Sequence, residues 1–171
     1  DLRAGDRPAD GAALFPVLRM TLKPVSVRAL TSLDGEPWSK LRQALWPDQP
    51  ADAHLVEIEE MLGGQVGAGY GAFSPDGALV AFAEVSIRAY ANGCTSTPVP
   101  FLEGIFVEER SRRMGIAGLL LAQIESDLRA RGFVELCSDA EMHNTSSHLA
   151  HRQWGFVETE RVIYFRKPLG T

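Results

Sequence analysis

The sequence predicts one α/β (α+β) domain, a central mixed, mostly antiparallel twisted sheet flanked by helices. Three observations predict it. The chain has 171 residues, the size of one domain, and 45% are apolar, enough for one core. Two strand-like stretches, Gly67–Ser74 and Ala78–Tyr90, meet at Ser74-Pro75-Asp76-Gly77, a tight-turn sequence that joins antiparallel neighbours. Beyond them the pattern becomes strand, helix, strand, helix, strand, and includes a long amphipathic helix over about Gly115–Arg131.

Residues 1–24 read as a leader or extension, and residues 25–171 as the domain. Gly5-Asp6-Arg7-Pro8-Ala9-Asp10-Gly11 is charge and chain breakers, Pro16 interrupts the short apolar patch Ala12–Leu18, and Met20 is a candidate natural start. Val25–Leu30 alternates apolar and polar as a strand does. A helix follows from Asp34-Gly35-Glu36-Pro37 to about Trp46, with Trp38, Leu41 and Leu45 as its apolar stripe, and Pro47 and Pro50 end it. Asp52 is expected to cap a second helix bearing Leu55, Ile58 and Leu62, stopped by Gly63-Gly64. The run Leu79–Ile87 is apolar enough for a central strand, Asn92-Gly93 turns the chain, and Val99–Val107 is the next strand. In the long helix Ala117, Leu121, Ile124 and Leu128 share a face, and Gly132 stops it. Phe133–Ser138 is a strand, Thr145–Gln153 a helix, and Phe156–Glu160 and Val162–Arg166 are the last two strands.

Charge and composition narrow the function classes. Seventeen Lys and Arg against 22 Asp and Glu leave a net charge of −5, with a pI near 5.4. That argues against nucleic acid as a partner, which wants a basic footprint, and favours a cationic substrate through long-range steering. No apolar run approaches the roughly 18 residues of a membrane span, so no membrane partner is expected. Cys94 and Cys137 are the only cysteines. Two do not make a disulfide framework, so thiols in a reducing, cytoplasmic compartment are expected.

The segment most charged with chemistry is Val107-Glu108-Glu109-Arg110-Ser111-Arg112-Arg113-Met114-Gly115-Ile116-Ala117-Gly118. A strand ends, a basic loop follows, and small residues open a helix. The first turn of a helix has unpaired N–H groups and a partial positive charge. Gly115, Ala117 and Gly118 lack bulk, so a pyrophosphate can reach those groups, and Arg110, Arg112 and Arg113 add positive charge. Neither common glycine-rich nucleotide fingerprint is present.

Strand, then Arg112-x-x-Gly115-x-Ala117, then a long helix resembles the acetyl-CoA signature of the GNAT acetyltransferase superfamily. Asn144, followed by His151-Arg152-Gln153-Trp154-Gly155-Phe156, resembles its second landmark. The segments Leu45-Trp46-Pro47-Asp48-Gln49-Pro50, Ser86-Ile87-Arg88, Tyr90-x-Asn92-Gly93-Cys94, Pro98-x-x-Phe101-Leu102-Glu103-Gly104-Ile105-Phe106-Val107 and Glu158–Ile163 are similar to the aminoglycoside 6′-N-acetyltransferases of that superfamily. The resemblance spans roughly residues 25–168. It implies the GNAT fold and transfer of acetyl from acetyl-CoA, with no metal, to the 6′-amine of antibiotics such as kanamycin and tobramycin. It also implies a homodimer.

By matching positions, the resemblance places Trp46, Gln49, Tyr90, Glu103, Asp139 and Glu160 at the aminoglycoside. Gln49 stands where that family carries His, and its amide still offers hydrogen bonds to a sugar hydroxyl. Ile105, Phe106 and Val107 would pair with the pantetheine like an added strand, and Arg112, Arg113, Gly115, Ala117, Gly118 and Asn144 would hold the rest of acetyl-CoA.

The residues themselves agree with a polycation. Glu103 interrupts the apolar run Phe101–Phe106, where a buried acid needs a partner. Asp139 follows an apolar strand whose carboxyl end is the usual place for a ligand crevice. Aminolysis of a thioester needs a neutral amine, so a carboxylate must accept a proton. Asp139 is the first candidate for the base and Glu103 the second. The Val107 N–H is the candidate oxyanion donor. His151 occupies the position where many superfamily members place Tyr, and it could protonate the leaving thiolate. A polyamine or a protein N-terminus is the alternative substrate class.

Overall fold

The computed structural model describes residues 24–64 and 67–170. Apart from Pro24, the expected leader with its candidate start Met20 lies outside the described residues.

Five strands form one sheet: β1 (Ser26–Ala29), β2 (Gly67–Phe73), β3 (Leu79–Arg88), β4 (Val99–Val107) and β5 (Cys137–Ser138). They lie in chain order β1-β2-β3-β4-β5, the first four antiparallel and β4/β5 parallel. The helices are α1 (Gly35–Leu45), α2 (Ala51–Gly63), α3 (Ile116–Ala130) and α4 (Thr145–Gln153).

Strand residues alternate between two faces, and each face has its own core. On one face Ala83, Val85 and Leu102 pack with Leu120, Leu121, Ile124 and Leu128 of α3. On the other, Phe82 packs with Trp38 and Leu41 of α1 and Ile58 of α2. Gly69 is required by close approach, because a Cβ there would lie 2.3 Å from the Trp38 ring.

The structure corrects several expectations. Asp52 does not cap α2; Pro50 stands at the N-cap, and Asp52 lies in the first turn, where its charge faces the helix's positive end. The strand expected over Phe133–Ser138 shrinks to two residues. Ahead of it Glu135 turns aside to accept hydrogen bonds from the Thr95 N–H (2.9 Å) and from Ser96. Phe156–Glu160 and Val162–Arg166 do not join the sheet. Their alternation marks a face that needs a partner, and within the described chain Val157, Ile163, Tyr164 and Phe165 stay exposed, Phe165 at 93%. Cys94 and Cys137 are a disulfide, not two thiols, with Cα atoms 6.6 Å apart. Forty-three residues separate them in sequence, and only the pairing of β5 beside β4 brings them together.

Candidate active site

The sheet opens where β4 and β5 part. Phe101 and Leu102 pair with Cys137 and Ser138, and no strand flanks β4 on that side beyond Leu102 among the described residues. The Glu108 N–H donates to Val80 O on β3 (3.0 Å). Backbone groups alternate sides along an antiparallel strand, so the N–H groups of Ile105 and Val107 face the free edge and those of Phe106 face β3. Val107 O on that free edge accepts from Arg112 Nε at 2.9 Å.

The free edge leads to the N-terminus of α3. Arg113 (φ 62°) and Gly115 (φ 77°) both adopt left-handed backbone there, and Gly115 is the N-cap. A Cβ on Gly115 or Gly118 would meet nothing within 4 Å, so the first turn stands clear on the side an anion would approach. Arg112 and Arg113 are exposed, with the Arg112 guanidinium 5.7 Å from the Phe106 ring centre. Arg110 is tied to Glu108 (2.9 Å) and so adds less free charge than the sequence suggests. The half-buried edge of β4 and the uncovered helix turn fit an extended pantetheine and a pyrophosphate. Asn144 caps α4 by accepting the Ser147 N–H at 3.0 Å.

A cleft of about 1350 Å³ lies beside β5, lined by Arg88, Phe101, Ser138, Asp139, His151 and Glu160 among others. Asp139 and Glu160 are exposed. His151 is half-buried between Trp154 and Phe156. Its Nδ1 lies 2.8 Å from Ser147 O, which can only accept, so Nδ1 carries a proton. Nε2 then meets the Ser138 hydroxyl at 2.9 Å.

Glu103 reaches its position through a bulge. Glu84 pairs with Gly104 and Val85 with Leu102, so Glu103 is the extra residue in β4. It shares the face of Ser86 and Arg88, accepts from Ser86 Oγ, and accepts from Arg88 Nε at 2.9 Å. The Arg88 guanidinium also stacks 3.5 Å from the Phe101 ring centre. Trp46 lies beside this group, since a Cβ on Gly104 would come 2.6 Å from its ring. Gln49, three residues further on, bonds Glu57. Tyr90 is exposed, and its hydroxyl donates to Asn92 (2.6 Å), which lines the cleft.

Asp139, Glu160 and His151 therefore share one cleft, to which Glu103 is joined through Arg88. Trp46, Gln49 and Tyr90 do not line the cleft wall. Sequence reasoning missed Arg88, Ser138 and Ser86. The signal was present: Glu84, Ser86 and Arg88 fall at every second residue of an otherwise apolar strand, which puts all three on one face.

Beneath Trp46 lies a buried ionic group that the sequence did not reveal. Arg42 and Glu84 are 4% and 2% exposed, and Arg42 Nη1 reaches both Glu84 oxygens at 2.7 Å. The Trp38 indole N–H also donates to Glu84 (2.7 Å). Burial pushes the Glu84 carboxyl above the usual range, while Arg42 and Trp38 pull it back. Among the described residues, no group of three His, Cys, Asp or Glu could hold a metal ion. No helix among them is long and apolar enough to cross a membrane.

A free β4 edge leading to an uncovered, basic helix N-terminus is what an acyl-CoA acetyltransferase requires, and the family model for the acetyltransferase (GNAT) family matches residues 28–156. The chain belongs to that family. It is similar to aminoglycoside N(6′)-acetyltransferase type 1 of Serratia marcescens, 46% identical over 136 residues, which cover 79% of this chain and 93% of that one. The protein of the same name from Stenotrophomonas maltophilia is 43% identical over 145 residues, covering 84% and 94%. Among solved structures, AAC(6′)-Iy in complex with the bisubstrate analog CoA-S-monomethyl-acetylneamine superposes with TM-score 0.80 at 42% identity, covering 85% of this chain and 99% of that one. The 6′-N-acetyltransferase AAC(6′)-Ih of Acinetobacter baumannii superposes with TM-score 0.81 at 38% identity, covering 86% and 100%.

Proposed function

We propose that this enzyme transfers acetyl from acetyl-CoA to the 6′-amine of an aminoglycoside by direct attack in a ternary complex, and so confers antibiotic resistance. The observation that supports it most is the acid-lined cleft next to the free edge of β4, in a chain whose relatives carry that activity.

Acetyl-CoA supplies a thioester carbonyl when bound. Ile105 and Val107 offer outward backbone groups to the pantetheine, with Phe106 between them. Gly115, Ala117 and Gly118 leave helix N–H groups open for the pyrophosphate, with Arg112, Arg113 and the α4 cap Asn144 around the rest. Of the outward groups, the Val107 N–H is the donor to the carbonyl oxygen as it gains charge. The aminoglycoside is held by Glu103, Asp139 and Glu160 through its ammonium groups, and by Trp46, Gln49 and Tyr90 through its rings and hydroxyls.

Asp139 is the base. It stands exposed at the cleft, whereas the oxygens of Glu103 are already engaged by Arg88 and Ser86. Glu103 therefore binds and orients the amine. For this step His151 carries a proton on both ring nitrogens and returns the one on Nε2 to the thiolate, with the Ser138 oxygen as its acceptor in the cleft beforehand.

Dependence on acetyl-CoA, an intracellular thioester, supports action in the cytoplasm; with Cys94 and Cys137 paired, the cysteines do not. The exposed alternating segment through Val162, Ile163, Tyr164 and Phe165 supports a homodimer in which it finds a partner. The Arg110–Glu108 pair and the acidic net charge support a small polycation over nucleic acid.

The test is CoA release from acetyl-CoA with kanamycin, beside spermidine and a peptide amine. Fast release with kanamycin alone, and acetyl mapped to the 6′-nitrogen, is the expected result. Turnover of spermidine or the peptide without kanamycin would overturn it.

A further inference from the structure

The loop between α1 and α2 carries Trp46 and Gln49, and it is fastened from both sides. Its backbone is held by Gln43, whose Nε2 donates to Pro47 O (3.1 Å) and Gln49 O (3.3 Å). Its side chains are held by a relay rooted in the core. The Arg42 guanidinium spends one nitrogen on Glu84 and another on Glu57, and its Nε donates to His54 Nδ1 (3.4 Å). Its plane also lies 4.9 Å from the Trp46 ring centre. Glu57 then uses its second oxygen to accept from Gln49 Nε2.

The direction of that last bond matters. A carboxylate accepts only, so it fixes which end of the Gln49 amide faces it. The amide N–H turns inward to Glu57, and the carbonyl oxygen is presented outward as an acceptor for a hydroxyl or ammonium. Glu57 is 43% exposed, so by itself it would be mobile, and Arg42, at 4%, holds it still.

We infer that Glu57, fixed by Arg42, is a positioning residue for the aminoglycoside. It orients the Gln49 amide and so sets the hydrogen-bonding character of the Trp46–Gln49 loop. This rests on the proposed reading in which Gln49 contacts the aminoglycoside. The plainer alternative is that the Glu57 charge attracts the polycation directly.

Steady-state kinetics of the full chain with acetyl-CoA and kanamycin separate the cases, using Gln49→Leu, Glu57→Leu, Glu57→Gln and the Gln49→Leu/Glu57→Leu double variant. Loss of one oriented hydrogen bond should raise the kanamycin KM about fivefold to tenfold in Glu57→Leu, with kcat and the acetyl-CoA KM within about twofold. Glu57→Gln offers one accepting oxygen to the two donors that Glu57 serves. With Arg42 on that oxygen its NH2 faces Gln49 and reverses the Gln49 amide, so the kanamycin KM should rise as in Glu57→Leu, and the double variant should be no worse than Gln49→Leu. The relay is overturned if Glu57→Gln keeps a wild-type kanamycin KM, or if the two Leu effects multiply, as they would were the Glu57 charge to attract the polycation directly. A raised KM in Gln49→Leu with an unchanged one in Glu57→Leu overturns the relay alone. An unchanged KM in Gln49→Leu overturns the reading of Gln49 as a substrate contact, and the relay with it.

Discussion

Arg88 Nη2 lies 2.5 Å from Glu103 Oε2 across the β3–β4 ladder, and a bulge at Glu103 puts both on the face that carries Trp46. A pair 38% and 30% exposed gives little stability but much orientation. Arg88→Ala should therefore lower stability by about 1 kcal/mol or less, while releasing the Glu103 carboxylate from its fixed rotamer. Thermal unfolding should show a small change beside a several-fold rise in the kanamycin KM. A large loss of Tm with unchanged KM would assign the pair to the fold.

Asp139 contributes nothing to the core, so its removal should be felt only in the reaction. Asp139→Asn should reduce kcat by about a hundredfold, the lower end for a general base, with Tm and the acetyl-CoA KM unchanged. Glu103→Gln should act mainly on the kanamycin KM. Equal kcat losses in the two variants would contradict the division of roles.

Arg42 and Glu84 satisfy each other in the core, and removing one strands the other. Glu84→Leu should cost about 3–5 kcal/mol, measured by urea unfolding. A double change of Arg42 and Glu84 to apolar residues should recover part of that loss, because no buried charge remains unpaired.

Asp34 gives a pH signature. Its carboxylate accepts from Arg28 (2.7 and 2.8 Å) and from the Thr31 N–H (2.8 Å), and the Arg28 bond first of all holds its pKa down at about 2. The folded value lies below the unfolded one, near 3.9. The stabilisation is therefore complete above about pH 4 and is lost as pH falls toward about 2. Asp34→Asn should show a smaller stability loss than wild type over that window, with a loss of about 1 kcal/mol already present at pH 7.

Tyr70 supplies a spectroscopic check. Burial, aided by the nearby Asp127 charge, pushes its hydroxyl up to about 12. Ultraviolet titration of the folded protein should show a tyrosine transition near pH 12, and Tyr70→Phe should remove it.

Local patterns were enough for α1, α3 and α4, for β2, β3 and β4, and for the glycine-bearing turn before α3, because periodicity, breakers and small residues act within a few positions. The placement of Glu103 and Asp139 was also legible: an acid inside an apolar strand and an acid after one both stand out against their neighbours. What sequence could not determine depends on distance through space. Arg88 becomes the partner of Glu103 only when β3 and β4 pair in one register with one bulge. Arg42 looks like a surface residue on an amphipathic helix until Glu84 comes opposite it in the core. The Cys94–Cys137 bond and the shortened β5 arise from contacts between segments some 40 residues apart. The final strand pattern, Val162–Arg166, calls for a neighbour without naming it. An alternating segment encodes two faces, and only tertiary contact decides what covers them.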